Sequence, residues 1–274
     1  MRSFMKSLLA LCVALVLLAS LSALAEDDLL AKVQARGSLI IATEGNWTPW
    51  TYHDEQSNQS GFWSSQTDTL TGFDVELGRL IAEKLGVTAE FRETEWSALL
   101  AGVDSGLFDI ACNGVDYTPE RAEKYNFSDP YVYTEIALVV RKDNENIRSF
   151  EDLAGMVTSN SPSSTYAQRA EAAGASVVYV DAFDGTMMMV EQGRVDASIN
   201  ALGTIQEYLE ARPDSNLKIV YIQPGDPVCI PLRKTEESAS LLKAINQILA
   251  DARADGSLSE LSVRFFGKDL TEAP

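Results

Sequence analysis

Leu39-Ile40-Ile41-Ala42, closed in by Gly37 on one side and Gly45 on the other, is a short unbroken apolar run. Such a run is what a strand buried on both faces requires. Downstream, Phe73, Leu77, Leu80, Ile81 and Leu85 recur at helical spacing, and Gly86 follows as a C′ residue. Ala89-Glu90-Phe91-Arg92 then reads as a second strand, Leu99, Leu100 and Val103 as a second helix, and Phe108 to Ala111 as a third strand. Strand, helix, strand, helix, strand is the pattern of a parallel sheet with helical crossovers, so the fold class is α/β.

The same pattern restarts further along. Met156-Val157-Thr158 precedes a helix around Tyr166 to Ala172, and Val177 to Val180 is a strand. Met187 to Val190 lies on a helix and Val195 to Ile199 is another strand. Val103-Asp104-Ser105-Gly106-Leu107-Phe108-Asp109-Ile110 parallels Val190-Glu191-Gln192-Gly193-Arg194-Val195-Asp196-Ala197. Each is a helix end, a Gly, then an Asp opening a strand, which agrees with two similar α/β lobes and equally with a generic joint. Ala137-Leu138-Val139-Val140-Arg141-Lys142-Asp143 runs between the halves as a strand into a charged stretch. After Leu217 to Ile222, the segment Gln223-Pro224-Gly225-Asp226-Pro227 reads as a break. A strand from Val228 to Leu232 and a helix carrying Leu241, Leu242, Ile245, Ile248 and Leu249 follow, long enough to return to the first half. Gln56 to Thr69 reads as a solvated loop or hairpin tip, with Trp63 as its anchor.

The 274-residue chain has 46% hydrophobic and 23% charged residues, an ordinary globular composition. Its formal net charge of −18 argues against nucleic acid and against anionic lipid as partners. A single histidine, His53, excludes any metal site that needs two imidazoles. Residues 1–25 have the layout of a cleaved signal peptide: Arg2 and Lys6, the apolar run Leu8 to Ala19, then Ala23-Leu24-Ala25. Cys12 follows Leu11, where a lipid-anchor site would want a small residue. Cys112 and Cys229 remain, at a separation that fits no zinc site. In an oxidising compartment they are a candidate disulfide, the alternative being two buried thiols.

Thr118-Pro119-Glu120-Arg121 reads as a helix start, with Thr118 as N-cap and Pro119 at the first helical position. Arg121 then sits in the first turn, where the helix dipole disfavours a cation. It is either a surface cation paired with Glu123 or Asp129, or a ligand-facing group.

Gly72-Phe73-Asp74-Val75-Glu76-Leu77 resembles a motif of the periplasmic solute-binding proteins of polar amino-acid ABC importers, family 3. The likeness extends over Leu30 to Gly37, Thr118-Pro119-Glu120-Arg121-Ala122, Phe127-Ser128-Asp129-Pro130-Tyr131, Gly193 to Ala197 and Phe266-Gly267-Lys268-Asp269. Within the family the cystine-binding branch is most similar. The resemblance implies a type II periplasmic-binding fold of two lobes, two hinge strands, and a ligand cleft between the lobes. It places residues 26–141 and 224–274 in lobe 1 and residues 142–223 in lobe 2. It implies a monomeric, periplasmic carrier without cofactor, metal or catalytic activity, which hands its solute to an ABC permease in the inner membrane. Lobe closure would turn on segments near Arg141-Lys142-Asp143 and Tyr221-Ile222-Gln223.

The same resemblance implies the site. Arg121 would hold the ligand's α-carboxylate as a two-pronged fork. Ser163, Ser164 and Thr165 lie where the family has a Gly-Thr turn at a helix N-terminus, with Ser163 in place of the Gly. Trp47 and Trp96 match family aromatics that line the pocket, with Trp50 a weaker match. In Asn113-Gly114-Val115-Asp116-Tyr117-Thr118, Asp116 stands where many relatives have Ser or Thr. Ala201 stands where many have the Asp that pairs with the ligand's ammonium. Asp116, assisted by Asn200, is therefore expected to take over the ammonium contact, unless it only caps the Arg121 helix. The alternative function on the same fold is a periplasmic cyclohexadienyl (prephenate or arogenate) dehydratase, with Asp116 or Glu95 as general acid.

Overall fold

A computed structural model of the chain describes residues 28–54 and 69–273. The signal-like leader with Cys12 and the polar segment around Trp63 lie outside the described residues.

In chain order the first half comprises α1 (Leu29–Arg36), β1 (Ser38–Thr43), β2 (Asn46–Trp47), β3 (Thr51–His53), β4 (Leu70–Thr71), α2 (Phe73–Lys84), β5 (Thr88–Glu93), α3 (Trp96–Ser105) and β6 (Ile110–Ala111). The central strand is β1, with β5 and β6 parallel on either side. Its apolar run is unbroken because both faces are covered. Leu39 and Ile41 pack with α1 and α2 in the main core, while Ala42 joins Leu99, Val103, Phe108, Ala111 and Val115 beneath α3.

α4 (Pro119–Ala122), β7 (Tyr125–Phe127) and the long β8 (Val132–Arg141) lead into the second half. There β9 (Val157–Asn160), α5 (Thr165–Ala172), β10 (Ser176–Tyr179), α6 (Phe183–Glu191), β11 (Ala197–Ala201) and α7 (Leu202–Ala211) precede the equally long β12 (Leu217–Val228). The sheet order is β10-β9-β11-β8-β12, with β8 antiparallel to both of its neighbours. The chain ends in β13 (Pro231–Arg233), α8 (Ala239–Ala254) and α9 (Ser257–Phe266). These return to the first half: Ser240 donates to Asp28 at 2.6 Å, and Lys32 pairs with Glu237 at 2.6 Å.

The paired sequence windows fold into the same joint. Asp109 accepts the Ile40 N–H at 2.7 Å and returns its own N–H to Ile40 O at 2.9 Å. Asp196 does the same with Val157, at 2.8 and 2.7 Å. Each half thus pins its first strand by one carboxylate.

Two expectations are corrected, and one open alternative is decided. Gln223–Pro227 is not a break: β12 runs through it, with register shifts between Ile219 and Tyr221 and between Pro224 and Pro227. Two prolines are tolerated because β12 is an edge strand, where a missing N–H costs no ladder bond. Arg141 is not at a crossing point either, since it pairs with Leu217 at the far end of the second sheet, and β8 joins that sheet well before residue 141. The candidate disulfide is absent: Cys112 and Cys229 are both buried free thiols.

Candidate functional site

Between the two halves lies a pocket lined by residues of both. One wall is built from Glu44 after β1, Trp47 on β2, Trp96 at the start of α3, Gly114 and Asp116 after β6, and Arg121 on α4. The opposite wall is built from Ser161, Ser164, Thr165 and Tyr166 at the start of α5, Asp181 and Phe183 before and at the start of α6, and Asn200 on β11.

Arg121 reaches the cavity because α4 starts as its sequence demands, with the Thr118 hydroxyl accepting the Arg121 N–H at 3.1 Å. Its side chain is 7% exposed and forms neither of the surface pairs considered above. Nη1 donates to Asp116 O at 2.9 Å, and Nη2 donates across the cleft to Ser163 O at 3.0 Å. The guanidinium lies over the Trp96 ring, 5.4 Å from its centroid. Burial pulls the Arg121 pKa down from its ordinary value, and the Asp116 charge opposes that shift.

Asp116 is as deeply placed, and its carboxylate accepts the Thr165 hydroxyl from the other wall. Burial pushes its pKa up to about 6, against the pull of the Thr165 hydrogen bond and of Arg121. The loop that carries it is tied to the end of β12, since Tyr117 N donates to Pro227 O at 2.8 Å and Cys229 N to Val115 O at 3.0 Å. Gly114 has φ +56, and a Cβ there would stand 2.5 Å from the Trp47 ring, so only glycine allows this approach. Its N–H is accepted by Asp74, a fully buried carboxylate that also receives the Tyr131 hydroxyl. Burial raises the Asp74 pKa to about 7.

Glu44 is the second acid of this wall. Asn113 does not line the cavity but grips Glu44, donating to Oε2 at 2.6 Å and accepting the Glu44 N–H at 2.8 Å. Burial pushes the Glu44 pKa up to about 7, with Asp181 and Glu95 adding to the rise. Trp47 stacks on Trp50 at 5.2 Å between centroids and donates to Asn200 Oδ1 at 3.3 Å across the cleft. Trp50 is core, 1% exposed, and does not reach the cavity.

The α5 turn departs from a set of three ligand hydroxyls. Ser163 adopts φ +60, the conformation that favours the glycine it replaces; its side chain is exposed and only its carbonyl serves the site. Ser164 is the N-cap, accepting the Ala167 N–H at 3.0 Å. Thr165 is committed to Asp116. Ala201 is buried at the end of β11, where the Asn200 side chain accepts its N–H at 2.9 Å. Tyr166, Asp181 and Phe183 also line the cavity, a placement that follows from which loops the fold brings together and leaves no mark in their own sequence neighbourhoods. Among the described residues no helix is long and apolar enough to cross a membrane, and no His/Cys/Asp/Glu group could hold a metal ion.

Two α/β lobes shut over a cavity with one guanidinium and several acids make a two-lobed amino-acid-binding architecture. The family model described as bacterial extracellular solute-binding proteins, family 3, matches residues 39–268, and the chain belongs to that family. It is similar to a probable amino-acid ABC transporter-binding protein of Haemophilus influenzae, 36% identical over 88% of this chain and 89% of the relative. It is also similar to the L-cystine-binding protein TcyA of Bacillus subtilis, 34% identical over 90% of this chain and 88% of that one. Among solved structures, an ancestral arginine-binding protein bound to arginine superposes with a TM-score of 0.75. That pair is 32% identical over 85% of this chain and 99% of the other. The fold is thus the type II two-lobed one, and the family role is amino-acid binding for an ABC transporter, outside the cytoplasm.

Proposed function

We propose that this chain captures a polar amino acid by lobe closure and delivers it to an ABC permease in the inner membrane. Arg121 holds the α-carboxylate and Asp116 the α-ammonium. One observation carries the reading: a buried guanidinium and a buried carboxylate meet at one cavity, and each is also bonded to the opposite wall. Two of the five Arg121 N–H groups go to backbone carbonyls, which leaves donors for a forked carboxylate. Trp47 and Trp96 cover the ligand's apolar stem, and Asn113 acts through Glu44. Residues 1–25 are the cleaved signal, and the mature carrier works as a periplasmic monomer. The lobes divide along β8 and β12, with the hinge at the irregular stretch from Pro224 to Pro227, opposite Tyr133 to Glu135.

Likeness to cystine-binding relatives supports cystine as the finer assignment. Glu44, a second acid lining the pocket and held by a single side-chain donor, supports a ligand with a second positive nitrogen, which cystine and basic amino acids share. The dehydratase reading is not favoured. The relatives are named as binding proteins, Glu95 is exposed and off the cavity, and the Asp116 carboxylate is engaged by Thr165.

Mass spectrometry of solute released on denaturation, followed by calorimetric titration of cystine, arginine and glutamate, tests the assignment. An α-amino acid with a second cationic nitrogen is expected. Preferential binding of a dicarboxylic acid would overturn the Glu44 assignment, and turnover of prephenate would overturn the carrier itself.

A further inference from the structure

Beside the cavity, a helix of one lobe is capped by a side chain of the other. α3 starts at Trp96, but its own N-cap residue, Glu95, makes no side-chain cap bond, and its first turn contains no acid. An uncapped N-terminus leaves backbone N–H groups and the positive dipole end unanswered. Asp181, on the far side of the cleft, answers both. Its Oδ1 accepts Ser97 N at 3.1 Å and its Oδ2 accepts Ser97 Oγ at 2.8 Å. The cap is anchored in turn, because Asp181 O accepts the Ser161 hydroxyl at 2.8 Å. Next to Ser97, Trp96 donates Nε1 to Pro162 O at 2.9 Å and carries Arg121 over its ring.

We infer that Asp181 is a closure latch: an N-cap supplied across the cleft, which stabilises the closed state and positions Trp96 against Arg121 only when the lobes meet. The inference rests on the reading above, that the lobes open and close around a solute. A cap within one lobe would have the same worth open or closed and would shift nothing. A cap across the cleft contributes to the closed state alone, so it biases the equilibrium by its full worth. Although Asp181 lines the cavity, both of its carboxylate oxygens are used by Ser97, which separates it from Glu44 as a ligand group.

The test uses full-length mature protein with a fluorophore on each lobe, read by single-molecule energy transfer. In ligand-free protein Asp181→Ala should lower the closed fraction about fivefold, the worth of a typical N-cap. Ser97→Ala, which keeps the backbone donor, should lower it less, and the double variant should be no worse than Asp181→Ala. An unchanged closed fraction, or simple addition of the two effects, would overturn the latch without touching the carrier reading. In titrations with arginine and with its uncharged analogue citrulline, Asp181→Ala should raise both dissociation constants by one common factor. A loss confined to ligands with a cationic side chain would make Asp181 a ligand contact and overturn the latch. A wild-type protein that binds no amino acid would sink the carrier reading alone, since the ligand-free closed fraction still decides the latch.

Discussion

On one wall of the cleft the chain places Glu44, Asp116 and Arg121; on the other it places Ser161, Ser164, Thr165 and Asn200, with Asp181 turned to Ser97. The first wall carries the buried charges, and burial has moved all three away from their ordinary pKa values. The second answers with neutral hydroxyls and carbonyls: Thr165 to Asp116, Ser163 O to Arg121, Asn200 to Trp47. Charge held on one side gives recognition, because desolvated charges are costly without a partner. Groups on the other side that bond across the cleft give closure, because water can replace their partners when the walls part. Substitutions should therefore separate into losses of recognition on the first wall and losses of closure on the second.

Arg121→Ala should have the largest effect, weakening amino-acid binding by about 2–5 kcal/mol, since it strands a buried carboxylate. Arg121→Lys should also be impaired, because an ammonium cannot reproduce a fork. Asp116→Asn should follow, with a loss of roughly 10- to 100-fold in titration calorimetry and a near-normal melting temperature. Unchanged affinity would mean that Asp116 serves closure only, through Thr165.

pH should drive the two properties apart. Asp116, Glu44 and Asp74 are raised to about 6, 7 and 7, above their unfolded values. The folded protein therefore holds protons that the unfolded chain has released. Their stabilising contribution is fully present below the unfolded pKa values and is lost as pH rises through 6 to 7. Ammonium binding needs Asp116 ionised, so affinity should fall below about pH 6 while the melting temperature of free protein rises. Parallel pH trends in calorimetry and thermal melts would contradict this. The smallest effect is expected at Ser163→Gly, which relieves a left-handed serine and should stabilise by at most about 1 kcal/mol, with affinity unchanged.

The sequence made the first wall more legible than the second. Thr118-Pro119 declares a helix start, and the structure bears out that cap, whereas Ser164 reads as part of a ligand turn and proves to be the N-cap of α5. The alternation from Leu39 to Ala111 yields the parallel sheet. Glu44, Tyr166, Asp181 and Phe183 come together only through the way separate loops meet, which no local pattern encodes. Pro224 and Pro227 misled because proline is a breaker in a central strand but not on the edge that β12 occupies. Cys112 and Cys229 could not be decided by count, since pairing depends on the direction of two side chains.

The most direct test of recognition by the first wall is a thermodynamic cycle on Arg121 and the ligand's carboxylate. Wild type and Arg121→Ala would each be titrated with the bound amino acid and with the amine that lacks only its carboxylate. A coupling of about 2–5 kcal/mol is expected, with the amine indifferent to the substitution. A coupling near zero would show that Arg121 closes the cleft through Ser163 without reading the ligand.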